Sequence, residues 1–272
     1  MKLNSRFAAG AALLMLLVGT TGCAKLKARD RLVKGVQAFK AGQYEQATNL
    51  FQESIQLDPT YKAAHLYLAT AYSYRVVPGL DSAENVAIAN KALDGFNDVL
   101  AGDPNDLGAL KQEASIYRNI KQYDKAKSIE QKIISIDSKD AEAYYTIAWI
   151  DWNLAYKNAV QILGKAGLTD DGLGNVKKSP AVCQQLVAAN TTLVNEALDN
   201  LHKAVEINKT YDDAMQYLNL TYRRKADLEC GNDAARKADL ATADEWVHKA
   251  TGARRANEAA KEAKLKGGVT MN

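Results

Sequence analysis

The 272-residue chain is 47% hydrophobic and 25% charged with a formal net charge of +3, a balance that suits one or two folded bodies and excludes bulk disorder. Ala, Leu, Lys, Gln and Glu dominate while alternating β-branched runs are scarce, so nearly all helix is expected. Subtracting Lys2 and Arg6 of a leader from +3 leaves +1, which gives no electrostatic reason to expect nucleic acid as a partner.

Residues 1–22 have the plan of an export signal: a basic start at Lys2 and Arg6, then an apolar stretch from Phe7 to Gly19 that is too short to span a bilayer. The following "VGTTGCAK" resembles the lipobox of bacterial lipoproteins. That resemblance implies lipidation of Cys23 as the mature N-terminus, a short linker over 23–30, and an anchor in the outer membrane facing the periplasm, because Ala24 is not the Asp that retains many lipoproteins in the inner membrane. Ordinary cleavage, with release to the periplasm and Cys23 left as a spare thiol, is the alternative.

From residue 31 a spacing recurs. "GVQAFKAGQYEQATNLFQESIQLDP" places Gly35, Ala47, Phe51, Ser54 and Pro59 where a helical hairpin needs small residues for close approach, an aromatic to fill the gap between hairpins and a proline to stop. The same phase returns with Ala69, Tyr72, Ala92, Phe96 and Pro104, again with Ala114, Tyr117, Ala126 and Ile133, and again with Ile147, Ala148, Ala197, Leu201 and Ala204. A fifth unit starts near Asp212 with Leu218 and Tyr222, where Asn219 takes a small-residue slot and loosens the expected packing. These slots resemble the 34-residue tetratricopeptide repeat (TPR). The resemblance implies an all-α, right-handed TPR α-solenoid of about five hairpins over 31–251. Leu240, Ala243, Val247 and Ala250 would line a C-terminal capping helix, and 252–272 would form a basic Ala/Lys-rich tail, frayed or disordered.

Two insertions interrupt the register, near 75–85 in repeat two and 153–190 in repeat four, both in the turn between the helices of a hairpin. Ser179–Pro180 is an N-cap followed by proline at the first helical position, so the second helix of repeat four is expected to start near 180. At about 1.5 Å per residue this puts Cys183 roughly 12 Å past the regular rim, and a first helix of repeat five running to about Glu229 puts Cys230 about 6–8 Å past it. A Cys183–Cys230 disulfide is expected, with two inert buried thiols as the alternative.

The three histidines, His65, His202 and His248, stand at no metal-ligand spacing, and no phosphate loop, nucleophile elbow or zinc-protease motif occurs. No enzyme activity, metal or cofactor is therefore expected. In the TPR family the first helix of each hairpin lines a concave face. Carried over by position, that face holds Tyr74, Lys111, Arg118, Asn119, Tyr145, Trp149, Trp152, Arg223 and Arg224, an aromatic floor with guanidinium donors suited to a protein or peptide ligand. Leu32 and Val36 occupy the slots of the chaperone-binding carboxylate clamp, which disfavours that ligand. The layout resembles exported TPR lipoproteins such as the pilotins of type IV pili and the helical lipoprotein of the β-barrel assembly machinery. The alternatives are that the repeat-four insertion fills the groove, or that it carries the site of a periplasmic enzyme or small-ligand binder.

Overall fold

The structure is a computed structural model that describes residues 5–267, with side chains for 23–265. The reading of 1–22 as a leader and the last residues of the expected tail lie outside the described side chains. Ten helices follow in chain order among the described residues: α1 (Ser5–Lys40), α2 (Tyr44–Leu57), α3 (Lys62–Arg75), α4 (Ala83–Gly102), α5 (Leu107–Asn119), α6 (Tyr123–Ile136), α7 (Ala141–Lys165), α8 (Pro180–Ile207), α9 (Asp212–Ala226) and α10 (Asp233–Gly267). Neighbours in sequence pack as hairpins, α1 with α2 and α3 with α4, and further on α7 with α8 and α9 with α10. The chain divides between Ala126 and Lys127, within α6, into two compact units.

In the first unit the small residues do what their spacing implies. A Cβ on Gly35 would come within 2.4 Å of the Phe51 ring, and one on Gly95 within 2.6 Å of the Ala69 methyl, so both glycines are sites of helix contact with no room for a side chain. Phe51 and Phe96 are fully buried, each worth about 1.5–3 kcal/mol of transfer free energy. Ser54 donates its hydroxyl to the Ala28 carbonyl across the α1–α2 contact at 2.7 Å. That bond and the complete burial of Ala28 correct the expected linker over 23–30, because this stretch is part of α1, packed on α2.

Gly42, at φ 75°, closes α1, with the Gln43 N–H returning to the Ala38 carbonyl. The repeat-two insertion is a short loop over 76–82 followed by a lengthened α4. Buried Asn85 closes the loop by accepting from the Val77 N–H and donating to the Val77 and Leu80 carbonyls.

In the second unit the repeat-four insertion is mostly helix. Asp140 caps α7 by accepting from the Glu142 and Ala143 N–H groups, and Ser179 caps α8 by accepting from Val182 N–H. Only residues 166–179 form the connecting loop. The lengthened hairpin closes because Ala155, Ala159 and Leu163 of α7 are fully buried alongside Leu186 and Val194 of α8. Asn190 ties the backbone in by donating to the Ala155 carbonyl and accepting from Asn158, both at 3.0 Å.

Three further expectations are corrected. Helix α9 ends at Ala226, short of Glu229, since Asp227 turns back to pair with Arg224 at 2.8 Å and accept from Asn175 at 3.0 Å. Helix α10 continues through Gly252, where a frayed tail was expected: Arg254 pairs with Asp212 at 2.8 Å, and Asn257 donates to the Thr210 carbonyl at the start of α9. Asn219 does not loosen repeat five, because it is buried and accepts from Arg223 Nε at 2.9 Å.

Candidate partner-binding face

Helix α7 carries two apolar stripes. The stripe of small residues packs on α8. The other runs through Tyr145, Trp149, Trp152, Tyr156 and Val160, at steps of four, three, four and four, which aligns them on one helical face about 22 Å long at 1.5 Å per residue.

Helix α9 covers part of this row. Tyr217 meets Tyr145 edge-on at 5.6 Å and Trp152 at 5.1 Å, and accepts a hydrogen bond from the Trp149 indole. Tyr145 also packs against Tyr211 at 5.1 Å. Burial pushes the Tyr217 phenol above its ordinary range, partly offset by the Trp149 bond, so it remains a neutral hydroxyl at physiological pH. Trp152 stacks on Tyr156 with planes 9° apart and centroids 5.3 Å apart, and its Nε1 has no acceptor within the described protein. Towards the end of α7 the row opens: Tyr156 is 40% and Val160 43% exposed.

The guanidinium donors are committed elsewhere, which corrects their expected role. Arg224 is 4% exposed and lies between Asp170 at 2.7 Å and Asp227 at 2.8 Å. Arg223 bonds Asn219, the Gly172 carbonyl at 3.1 Å and Asp244 at 2.7 Å. Both arginines hold the 166–179 loop against the end of α9, Arg236 of α10 donates to the Leu173 carbonyl, and within the loop Lys178 donates to the carbonyl of Gly174. The loop's carbonyls thus already face protein cations. Gly174, at φ 86°, permits this docking, because a Cβ there would meet the Ala226 carbonyl at 2.9 Å. Burial raises the Asp227 carboxyl above its usual range despite Arg224 and Asn175.

The structure brings Cys183 and Cys230 together, with Cα atoms 5.7 Å and sulfurs 1.97 Å apart, and this bridge joins the first turn of α8 to the α9–α10 turn. Cys23 is a free, exposed thiol on α1.

The remaining groove residues belong to the first unit. Tyr74, 56% exposed, closes an aromatic trio with Phe39 at 5.0 Å and Tyr44 at 5.2 Å. It and Asn119 line a cavity of about 350 Å3 between α3 and α5. Lys111 and Arg118 are half-buried on α5 and have partners within the protein. Among the described residues no group of three or more His, Cys, Asp or Glu is placed to hold a metal ion, and no helix is long and apolar enough to cross a membrane.

Tyr156, Val160 and Tyr217 were not among the expected site residues. The signal for the first two was the unbroken step of four beyond Trp152, which becomes visible once α7 is continued past Asn153.

Residues 38–73 match the tetratricopeptide repeat family. Over 62 residues, 23% of the chain, the sequence is 37% identical to the general transcriptional corepressor trfA of Dictyostelium discoideum, and the match spans about 4% of that protein's length. Among solved structures, MamA residues 41 to the end from Desulfovibrio magneticus RS-1 superimposes with a TM-score of 0.52 at 17% identity, covering 85% of this chain and 96% of that one. A MamA RS-1 double mutant gives 0.52 at 17% over 86% and 97%, and another MamA crystal structure 0.51 at 15% over 84% and 92%. At these identities the likeness is one of fold: the chain is an all-α solenoid of the tetratricopeptide type.

Proposed function

We propose that this tetratricopeptide-repeat chain is a non-enzymatic scaffold that holds a protein or peptide partner along the aromatic face of α7, and that a lipid on Cys23 fastens it to the outer membrane on the periplasmic side. A role in outer-membrane or pilus assembly suits such an anchored adaptor. The observation that carries the reading is the exposed end of this aromatic row, Tyr156 stacked on Trp152 and followed by Val160. Large aromatic side chains concentrate binding energy at interfaces, and here the row starts beneath α9, with Tyr145 and Trp152 packed on Tyr217, and emerges at Tyr156 and Val160. The exposed Cys23 after an apolar leader supports the anchor.

A photo-crosslinking residue at position 156, in cells, should capture a specific partner that the same residue at Gln184, an exposed site on α8, does not. Identical products from the two positions, or none from 156, would remove the α7 face from the reading. Separately, Cys23→Ala should move the protein from the membrane fraction to the soluble periplasm; unchanged fractionation would refute the anchor.

A further inference from the structure

The two sulfurs of the Cys183–Cys230 bridge have different surroundings. Cys183 is 2% exposed, lies in the first turn of the 28-residue α8, and directs its sulfur towards the Asp227 carbonyl at 3.8 Å. Cys230 is exposed in the turn between α9 and α10. A cavity of about 290 Å3 opens beside the bridge, lined by Val176, Ser179, Pro180 and Gly231 together with both cysteines.

Thiol–disulfide exchange is an in-line displacement. A thiolate must reach one sulfur from the side opposite the other, and access together with leaving-group quality decides which sulfur is attacked. Of the two, Cys230 is the exposed residue and Cys183 the buried one, so access favours attack on Cys230. As the bond breaks, negative charge appears on Cys183, four residues after the Ser179 cap of α8. The positive end of the α8 dipole lies beside that sulfur and favours an anion there.

We propose that Cys230 is a thiol-modification site: a low-molecular-weight thiolate attacks its sulfur and forms a mixed disulfide, while the bonding electron pair leaves with Cys183, which then takes a proton from water. A second molecule of the thiol attacks the mixed disulfide, releases the Cys230 thiolate and departs as the oxidised disulfide. The two-electron balance closes on the thiol alone. The exchange runs in the folded chain, because opening the bridge leaves the loop held by Arg224–Asp170, Asn175–Asp227 and Arg236 on the Leu173 carbonyl.

Reduced glutathione is the probe. The full-length oxidised protein is incubated with it, quenched in acid, alkylated and mapped by peptide mass spectrometry, so that products on Cys23 are read separately. The expected result is glutathione on Cys230 and alkyl on Cys183 in at least tenfold excess over the reverse pattern, with the helical circular dichroism unchanged. Comparable yields on the two cysteines, an excess on Cys183, or no mixed disulfide until a denaturant unfolds the chain would each overturn the proposal.

Discussion

Replacing Asp151 with Asn tests the electrostatics of the α6–α7–α8 contact. The Asp151 side chain is fully buried, Oδ1 accepts from Lys127 Nζ at 2.7 Å, and Oδ2 has no partner in the described protein. Lys127 also reaches Glu196 at 2.9 Å, so its charge is shared. Burial pushes the Asp151 carboxyl from 3.8 up to about 6 against the pull of Lys127. The folded state therefore holds this proton more tightly than the unfolded chain. Stability from this group is fully present below about pH 4 and is lost as pH rises through about 6. At roughly 1.4 kcal/mol for each tenfold change in proton affinity, keeping this carboxyl ionised in the folded chain at pH 7 costs on the order of 3 kcal/mol. Asn keeps the acceptor for Lys127 and places a neutral amide where the second oxygen has no partner. Urea unfolding at pH 4, 5, 6 and 7 should show Asp151→Asn close to wild type at pH 4 and more stable by about 3 kcal/mol at pH 7. Curves that stay parallel across that range, or a variant less stable at pH 7, would show that the buried charge is compensated by groups outside this trio.

Two other substitutions probe the loop that caps the second unit. Arg224→Leu removes the cation between Asp170 and Asp227 and should lower stability by about 3–5 kcal/mol, the usual consequence of leaving a buried charge without its partner. Chemical denaturation checks this, and a loss under about 1 kcal/mol would mean that the two carboxyls protonate or hydrate without penalty. Replacing both Cys183 and Cys230 by Ala opens a loop with a sequence separation of 47, for which the chain-entropy estimate is about 4 kcal/mol. Limited proteolysis should then leave 166–179 protected, because the Arg224, Asn175 and Arg236 contacts remain, and early cleavage there would show that the bridge is what holds the loop.

The repeats were legible because close helix contact leaves a local imprint. Gly35 opposite Phe51, and Ala69 opposite Gly95, are small where a partner helix presses, and each can be read within one repeat. The lengthened hairpin was only half legible. Ser179–Pro180 announced the start of α8 through cap chemistry, but α7 has no terminator between Asn153 and Gly164, and its continuation depended on treating Ala155, Ala159 and Leu163 as one face. The fate of Arg223 and Arg224 left no local trace. Their spacing on α9 placed them on the groove-lining side, and the acceptors that claim them, the Gly172 carbonyl and Asp170, lie 51 and 54 residues away in the chain. A guanidinium commits to whichever carboxylate or carbonyl the tertiary fold delivers, and periodicity carries no information about that delivery. An aromatic on a helix is different: its direction follows from the backbone, so the Trp149–Trp152 face was readable and extends by the same rule to Tyr156 and Val160. A groove read from sequence is accordingly firmer in its rings than in its charges, and variants of the α7 aromatics separate partner binding from stability more cleanly than variants of the arginines.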